Sequence, residues 1–282
     1  MGTPTTTTTT TIWDLPFLNF DSQFDSTPTA TGTGSGTGTG SGAEGEKEPA
    51  HGYALIILNQ PFSYTLLKRL WHGAAWRCCA DGGANRLWDT LRGAEVEHIS
   101  FLPDMIKGDL DSLRADTRAF YAAHGVEIVQ DPDQNSTDLM KCVHALSHRE
   151  EEGTQYPLII LGGLSGRLDQ TLHTLSYLHK LRRTRPRVFA VTDESVAWVL
   201  DEGEHSIHVD HRFLGQTCGL LPVGVDSTRL TTRGLKWNLE DTESSLDGMV
   251  STSNHLLEDE PVVYVKTSRP IVWTVELKAQ NL

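Results

Sequence analysis

The sequence predicts an α/β domain, a parallel sheet flanked by helices, followed by an all-β domain built as a sandwich or small barrel. Three observations carry this. Between residues 53 and 192 short runs that are apolar on both faces alternate with longer amphipathic ones, as in a parallel sheet covered on both sides. After about residue 195 the runs stay short, turn residues separate them and no helical period returns, which is the rhythm of antiparallel strands. Before about residue 50 the chain is a threonine run, then T-G-T-G-S-G-T-G-T-G-S-G, then A-E-G-E-K-E, too poor in apolar side chains to offset the entropy of ordering. The chain therefore divides into a flexible Thr/Gly-rich tail (1–50), an α/β domain (51–195) and a β domain (196–282).

Taken in order, I-W-D-L-P-F-L-N-F (12–20) is apolar enough to dock on a surface, although its setting favours a sticky patch in a flexible arm. Y-A-L-I-I-L-N (53–59) opens the sheet and a helical pattern follows over 63–73. W-R-C-C-A (76–80) is the next strand, with a helix over 84–92. A strand at 104–107, V-E-I-V-Q (126–130), a helix over 137–148, P-L-I-I-L-G-G (157–163), a helix over 168–183 and V-F-A-V-T (188–192) complete the first domain. Seven further runs read as strands of the second: V-A-W-V-L, S-I-H-V, T-C-G-L-L-P-V, L-T-T-R-G-L-K-W-N-L, M-V-S-T-S-N, P-V-V-Y-V-K and I-V-W-T-V-E-L.

The formal net charge of -13 over 282 residues argues against a protein that coats nucleic acid, which needs a basic face. It leaves room for a nucleotide bound through metal and a few local donors. Cys78, Cys79, Cys142 and Cys218 form no C-x-x-C pair and read as reduced thiols, so a cytoplasmic protein is expected. No run reaches the roughly 18 apolar residues of a membrane span, and no secretory leader is expected. Arg182, Arg183, Arg185 and Arg187 fall at a helix end, where solvated cations are favoured, and His205, His208 and His211 read as surface histidines.

In open α/β sheets ligands sit outside the carboxyl ends of the strands, so the residues after each strand are the candidates. A-D-G-G-A-N-R brings Asp81, Gly82 and Gly83. G-D-L-D-S brings Asp109 and Asp111. D-P-D-Q-N-S-T-D-L-M-K brings Asp138, and G-G-L-S-G-R-L-D-Q brings Arg167 and Asp169. Gly82–Gly83 and Gly162–Gly163–Gly166 either let backbone N–H groups approach an anion ahead of a helix or are ordinary turn punctuation. Neither completes G-x-x-x-x-G-K-[ST] or G-x-G-x-x-G. In extended backbone Asp109 and Asp111 point to one side, where two carboxylates repel unless a cation lies between them; Mg²⁺ suits, since it takes carboxylates, phosphates and water. The plainer reading is a solvated turn with Ser112 as a helix cap, and for Asp138 and Asp169 a first-turn acid favoured by the helix dipole.

C-A-D-G-G-A-N-R (79–86), G-D-L-D-S (108–112), D-Q-N-S-T-D-L-M-K-C (133–142), G-G-L-S-G-R-L-D-Q (162–170), G-L-K-W-N-L (234–239) and S-T-S-N (251–254) together resemble the thiamine pyrophosphokinase family, in that family's order and over residues 53 to 280. The resemblance implies a homodimer with the site shared between subunits, and Mg²⁺-dependent transfer of pyrophosphate from ATP to thiamine. It implies that Asp109, Asp111 and Asp138 hold the metal, with Asp169 completing the acidic cluster and Lys141 and Arg167 supplying positive charge. Asp81, Gly82, Gly83, Asn85, Ser112, Gln134, Thr137, Gly162, Gly163 and Arg167 then belong to the ATP side. Gln170, Trp237, Ser251, Thr252, Ser253 and Asn254 belong to the thiamine side. A thiazolium on the Trp237 face is what cation–π physics favours, whereas Trp237 alone reads as a strand aromatic in a β core.

Two departures stand out: S-H-R-E-E-E-G-T-Q-Y (147–156) reads as a long surface loop, and E-D-T-E-S-S-L-D-G (240–248) lengthens the turn after Trp237. Two rival readings share the scaffold. One is a nucleotide-dependent phosphotransferase with another acceptor, which residues 234–254 would discriminate. The other is a non-catalytic thiamine or nucleotide sensor, which has no use for a cluster of repelling carboxylates.

Overall fold

A computed structural model describes residues 9–18, 52–150 and 154–278. It opens with β1 (Thr10–Trp13) and a single 3-10 turn (Pro16–Leu18). The α/β part runs β2 (Tyr53–Ile57), α1 (Tyr64–His72), β3 (Ala74–Ala80), α2 (Gly83–Gly93), β4 (Met105–Gly108), α3 (Ala115–Ala123), β5 (Glu127–Gln130), α4 (Asp138–Arg149), β6 (Leu158–Leu161), α5 (Leu168–Leu181) and β7 (Val188–Val191). Eight strands follow: β8 (Ser195–Leu200), β9 (Gly203–His208), β10 (Leu214–Leu221), β11 (Thr228–Arg233), β12 (Thr242–Ser244), β13 (Ser251–His255), β14 (Val262–Thr267) and β15 (Ile271–Leu277).

Strands β7, β6, β2, β3, β4 and β5 lie side by side in that order and all pair in parallel. Every residue of β2 and β6 is buried, as their unbroken apolar runs require. On one face Leu66, Leu67 and Leu70 of α1, Leu87 and Leu91 of α2 and Tyr121 of α3 pack with Leu55 and Ile57. On the other, Cys142, Val143 and Leu146 of α4 and Leu175 and Leu178 of α5 pack with Ile56, Leu158 and Ile160. The chain runs outward from β2 to β5 and then returns to place β6 on the far side of β2. Its winding therefore switches between β2 and β6, and the carboxyl ends there form the crevice typical of such sheets.

Helix α3 has no counterpart in the sequence reading. Its buried residues are Thr117 and Tyr121, four apart, which is too thin a stripe to register as an apolar period. Strand β12, three residues long, is equally silent.

The change of rhythm near residue 195 falls on the β7–β8 hairpin, where pairing turns antiparallel without interrupting the ladder. Strands β8, β15, β10 and β13 extend the same sheet to ten strands, so the two parts share one sheet. A second sheet, in the order β1-β9-β14-β11-β12, covers the extension as a sandwich. Trp198, Trp273, Val275 and Leu220 from one layer and Ile207, Leu230, Val263 and Val265 from the other share a single apolar cluster.

The expectation of a wholly flexible tail over 1–50 is corrected at residues 10–18; the rest of that stretch lies outside the described residues. Strand β1 pairs in parallel with the edge strand β9, and Trp13, Leu15, Phe17 and Leu18 are buried. Trp13 lies 5.7 Å from Trp198 and meets Phe189 edge-on at 6.1 Å, with the Arg187 guanidinium 4.5 Å above its ring. The docking reading of the 12–20 run is the one that holds where it is described, to residue 18: four apolar side chains suffice to seat a short segment on a ready-made apolar edge. The basic cluster is corrected too. Arg185 is buried and bonds both oxygens of Glu150 at 2.6 Å, while Arg187 donates to the carbonyl of Ile12.

His205, read as a surface residue, is buried: its Nε2 bonds the Asp201 carbonyl at 2.8 Å and its Nδ1 accepts from Trp13 Nε1 at 3.1 Å. A carbonyl can only accept, so the ring is the neutral tautomer with its proton on Nε2. Burial, chiefly, lowers its pKa from the ordinary 6.5, and burial lowers those of His173 and His179 in the same way. Below 6.5 the unfolded chain binds more protons than the folded one, so stability drains away as pH falls through that range. Melting curves between pH 8 and pH 5.5 are expected to show a falling Tm, with a shallower slope in His205→Gln.

All four cysteines are free and buried, Cys78 and Cys142 with sulfurs 3.4 Å apart. Among the described residues no helix is long and apolar enough to cross a membrane.

Candidate active site

Four strand ends and the first turns of α4 and α5 enclose a cavity of about 340 Å³. Leu58, Asn59 and Gln60 follow β2, Asp81 and Gly82 follow β3, and Asp109 and Ser112 follow β4. Gln134, Thr137, Asp138 and Lys141 come from the approach to α4 and its first turn; Arg167, Gln170, His173 and Thr174 come from the start of α5.

Carboxylate oxygens of Asp81, Asp109 and Asp138 all lie within 4.8 Å of one another. Asp81 is buried; its Oδ2 accepts from the Ser112 N–H at 3.1 Å, and its Oδ1 is buried with no partner. Burial raises the pKa of Asp81, and Asp138 and Asp109 add repulsion; burial raises that of Asp138 as well, against the pull of Lys141. An unpartnered buried oxygen beside two further carboxylates is costly unless a cation answers it. The donors are all oxygen, so the set suits a hard divalent ion such as Mg²⁺.

Gly108 makes this convergence possible. A Cβ there would stand 2.7 Å from Asp81 Cβ and 2.9 Å from Asp138 Oδ1, so any other residue would push two of the acids away.

Asp111 stands outside the group. The expectation of an extended backbone fails at Leu110, whose φ is 64° and whose side chain is buried, so the chain turns as soon as β4 ends. Asp111 is left exposed and accepts from the Ser112 hydroxyl at 2.9 Å. Asp169 is also apart: it is exposed and ion-paired with Arg167 at 2.5 Å, while Arg167 is among the residues that line the cavity. Lys141 is buried, with Nζ 3.3 Å from Asp138 Oδ1, and Thr137 caps α4 by accepting from the Met140 N–H. Gln134 and Gln170 line the cavity.

The paired glycines divide. No side chain caps the start of α2 at Gly82, which faces the cavity, and Gly83 has no room for a Cβ, which would meet the Ile57 carbonyl oxygen at 2.2 Å. Gly162 and Gly163 take φ of 99° and 90°, and both N–H groups are used within the protein, on the Val191 carbonyl and on Gln60 Oε1. Their glycine is demanded by backbone conformation, not by an anion. Asn85 is similarly engaged: its amide donates to the Ser112 carbonyl at 2.7 Å and accepts from the Arg114 N–H, fixing the turn that carries Asp109.

Apart from Gln170, the residues expected on the thiamine side lie elsewhere in the chain. Trp237 occupies a loop, not a strand core, and is 52% exposed, with Lys236 Nζ 4.7 Å above its ring and His255 against it. Buried Asn254 accepts from the Trp237 N–H at 3.2 Å and donates to the Trp237 carbonyl at 2.8 Å, so it positions that loop. Ser251 is buried in β13; Ser253 has φ of 56° and, with Thr252, lines a separate hollow near Glu194, Cys218 and Glu276. None of these residues lines the acidic cavity.

Asn59, Gln60 and His173 were missed. The strand-end rule that found the acids applies equally to L-N-Q-P after β2, but carboxamides carry no charge signal; His173 needed the helix phase of α5.

Two family models match the chain: the catalytic domain of thiamin pyrophosphokinase over residues 67–190 and its vitamin B1 binding domain over 204–272. Thiamine pyrophosphokinase 3 of Oryza sativa subsp. japonica is 36% identical over 236 residues, covering 80% of this chain and 87% of that protein. Thiamine pyrophosphokinase of Saccharomyces cerevisiae is 30% identical over 276 residues, covering 81% and 86%. The crystal structure of yeast thiamin pyrophosphokinase superimposes with a TM-score of 0.75 at 29% identity, covering 84% of this chain and 89% of that one. Thiamin pyrophosphokinase from Candida albicans gives 0.74 at 26%, covering 81% and 90%.

Proposed function

The chain belongs to the thiamin pyrophosphokinase family, and on that premise we propose that it is a thiamine pyrophosphokinase, which moves the pyrophosphoryl group of ATP onto the hydroxyl of thiamine and releases AMP. The observation that carries the reading is the meeting of three carboxylates at a strand-end cavity that also holds Lys141 and Arg167.

Asp81, Asp109 and Asp138 would hold a divalent cation, Mg²⁺ by the chemistry of the donors, and a cation there would neutralise charge on the polyphosphate. Asp138 also accepts from Lys141, so one helical turn sets an anion and a cation side by side, one for metal and one for phosphate. Lys141 is buried and so already desolvated, which strengthens its attraction for phosphate charge. Arg167, 75% exposed, can swing from Asp169 to the transferring group. The hydroxyl of thiamine attacks the β-phosphorus in line as AMP departs. No covalent intermediate is needed, because positioning and charge neutralisation carry such transfers.

A homodimer supplies the rest. Trp237 is exposed in its own chain and absent from the lining of its own cavity, as expected of a side chain that completes the site of a second copy. Four free, buried thiols favour a reducing compartment, the cytoplasm.

Incubation with ATP, Mg²⁺ and thiamine, followed by mass identification of the products, tests the reading. AMP with thiamine diphosphate is expected. ADP with thiamine monophosphate would move the attack to the γ-phosphorus, and no turnover would sink the assignment.

A further inference from the structure

The side chain of Gln60 spans the switch point of the sheet. It follows β2, yet its Oε1 accepts from the Gly163 N–H at 2.7 Å and from the Ser165 hydroxyl at 3.1 Å, both in the loop after β6. A backbone N–H can only donate, so these two bonds fix which end of the carboxamide is oxygen and turn Nε2 the other way. Among the described residues Nε2 has no acceptor. It lies 3.9 Å from where a Cβ on Gly166 would stand, beside the residue that precedes Arg167. Asn59 repeats the pattern: its Oδ1 accepts from Arg86 Nε at 3.0 Å, and its Nδ2 lies over Gly82. Both residues line the cavity. Two successive carboxamides thus have their oxygens committed to the protein and their N–H groups left for a ligand that offers acceptors.

Resting on the reading above, we infer that Gln60 is a binding and positioning residue for the nucleotide: Nε2 donates to a phosphate oxygen of ATP while Oε1 holds the 162–166 loop, and with it Arg167, against the same phosphate. A neutral donor suits this place. It can bond phosphate without forming an ion pair with the three carboxylates nearby, as a lysine would.

Gln60→Glu separates the two roles, because a carboxylate still accepts from Gly163 and Ser165 but has no N–H to donate. The KM for ATP is expected to rise about tenfold or more, the scale of a lost hydrogen bond to a charged group, with the KM for thiamine within about twofold and Tm kept. An unchanged KM for ATP would overturn the inference and leave Gln60 as a loop clamp. Gln60→Leu controls for the added charge: it too is expected to raise the KM for ATP, and a wild-type value there would mean that repulsion alone explained the glutamate, which also overturns it. Failure of the functional reading shows separately, as absence of thiamine turnover in the wild type. Calorimetric binding of Mg·ATP would then still compare wild type with Gln60→Glu.

Discussion

Asp81→Asn is expected to cut kcat by about two to three orders of magnitude, the scale seen when one preorganised electrostatic group is removed, while leaving the metal-free protein as stable as wild type or more so. The two effects part because of how Asp81 is held. Its Oδ2 accepts from the Ser112 N–H, a bond that an asparagine oxygen can keep. Its φ of 42° is a conformation that asparagine tolerates better than most residues. What the substitution removes is a buried negative charge repelled by Asp109 and Asp138, with one oxygen that has no partner in the protein. Tm in a chelator, with kcat at saturating Mg²⁺, reads both effects. A near-normal kcat would mean that Asp81 holds no metal. Asp111→Asn is the contrast: its carboxylate is exposed and bonded to the Ser112 hydroxyl, so a smaller loss, about tenfold, is expected.

Trp237→Ala is expected to lower kcat/KM for thiamine by about a hundredfold, through loss of an aromatic face for a cationic ring together with the apolar area that it covers. Mg·ATP affinity should hold, because Trp237 is not part of the acidic cavity. Tm should barely move, because the side chain is half exposed and the loop is pinned by Asn254 through backbone bonds that alanine retains. Trp237→Phe should recover most of the loss. Steady-state kinetics varying thiamine at saturating ATP measures this, and an unchanged kcat/KM in the alanine variant would place the acceptor elsewhere.

Much of the fold was legible because burial on both faces of β2, β6 and β7 leaves apolar runs that nothing but a covered parallel sheet explains. Once the strands were placed, their carboxyl ends pointed to Asp81, Asp109, Asp138 and Arg167, but equally to Asp111 and Asp169, which stand apart; Lys141 followed from the family resemblance alone. What stayed hidden depended on conformation at single residues. Leu110 in the left-handed region turns Asp111 out of the group, and no period in the sequence announces a buried leucine with positive φ. Asp81 joins the carboxylate cluster because β3 and β4 are neighbours and Gly108 lacks a Cβ, a matter of strand order and of one missing atom. Trp13 lies in a run apolar enough to dock, but its low-complexity surroundings favoured the flexible arm, and His205 could be known as buried only once Trp13 was seated beside it. The continuity of the sheet past residue 195 was equally invisible, since a hairpin that extends a sheet reads the same as one that begins a new domain.

The proposed site draws on two chains, with the acids of one and the tryptophan of the other. Mixing Asp81→Asn and Trp237→Ala chains, with unfolding and refolding together to exchange subunits, tests that directly. In a mixed dimer one of the two sites has all three acids from the Trp237→Ala chain and an intact tryptophan from its partner. An equal mixture should therefore regain about a quarter of wild-type activity, since half of the dimers carry one good site of two. Activity no greater than that of the two variants assayed apart would contradict it, and would put the acids and Trp237 to work within a single chain.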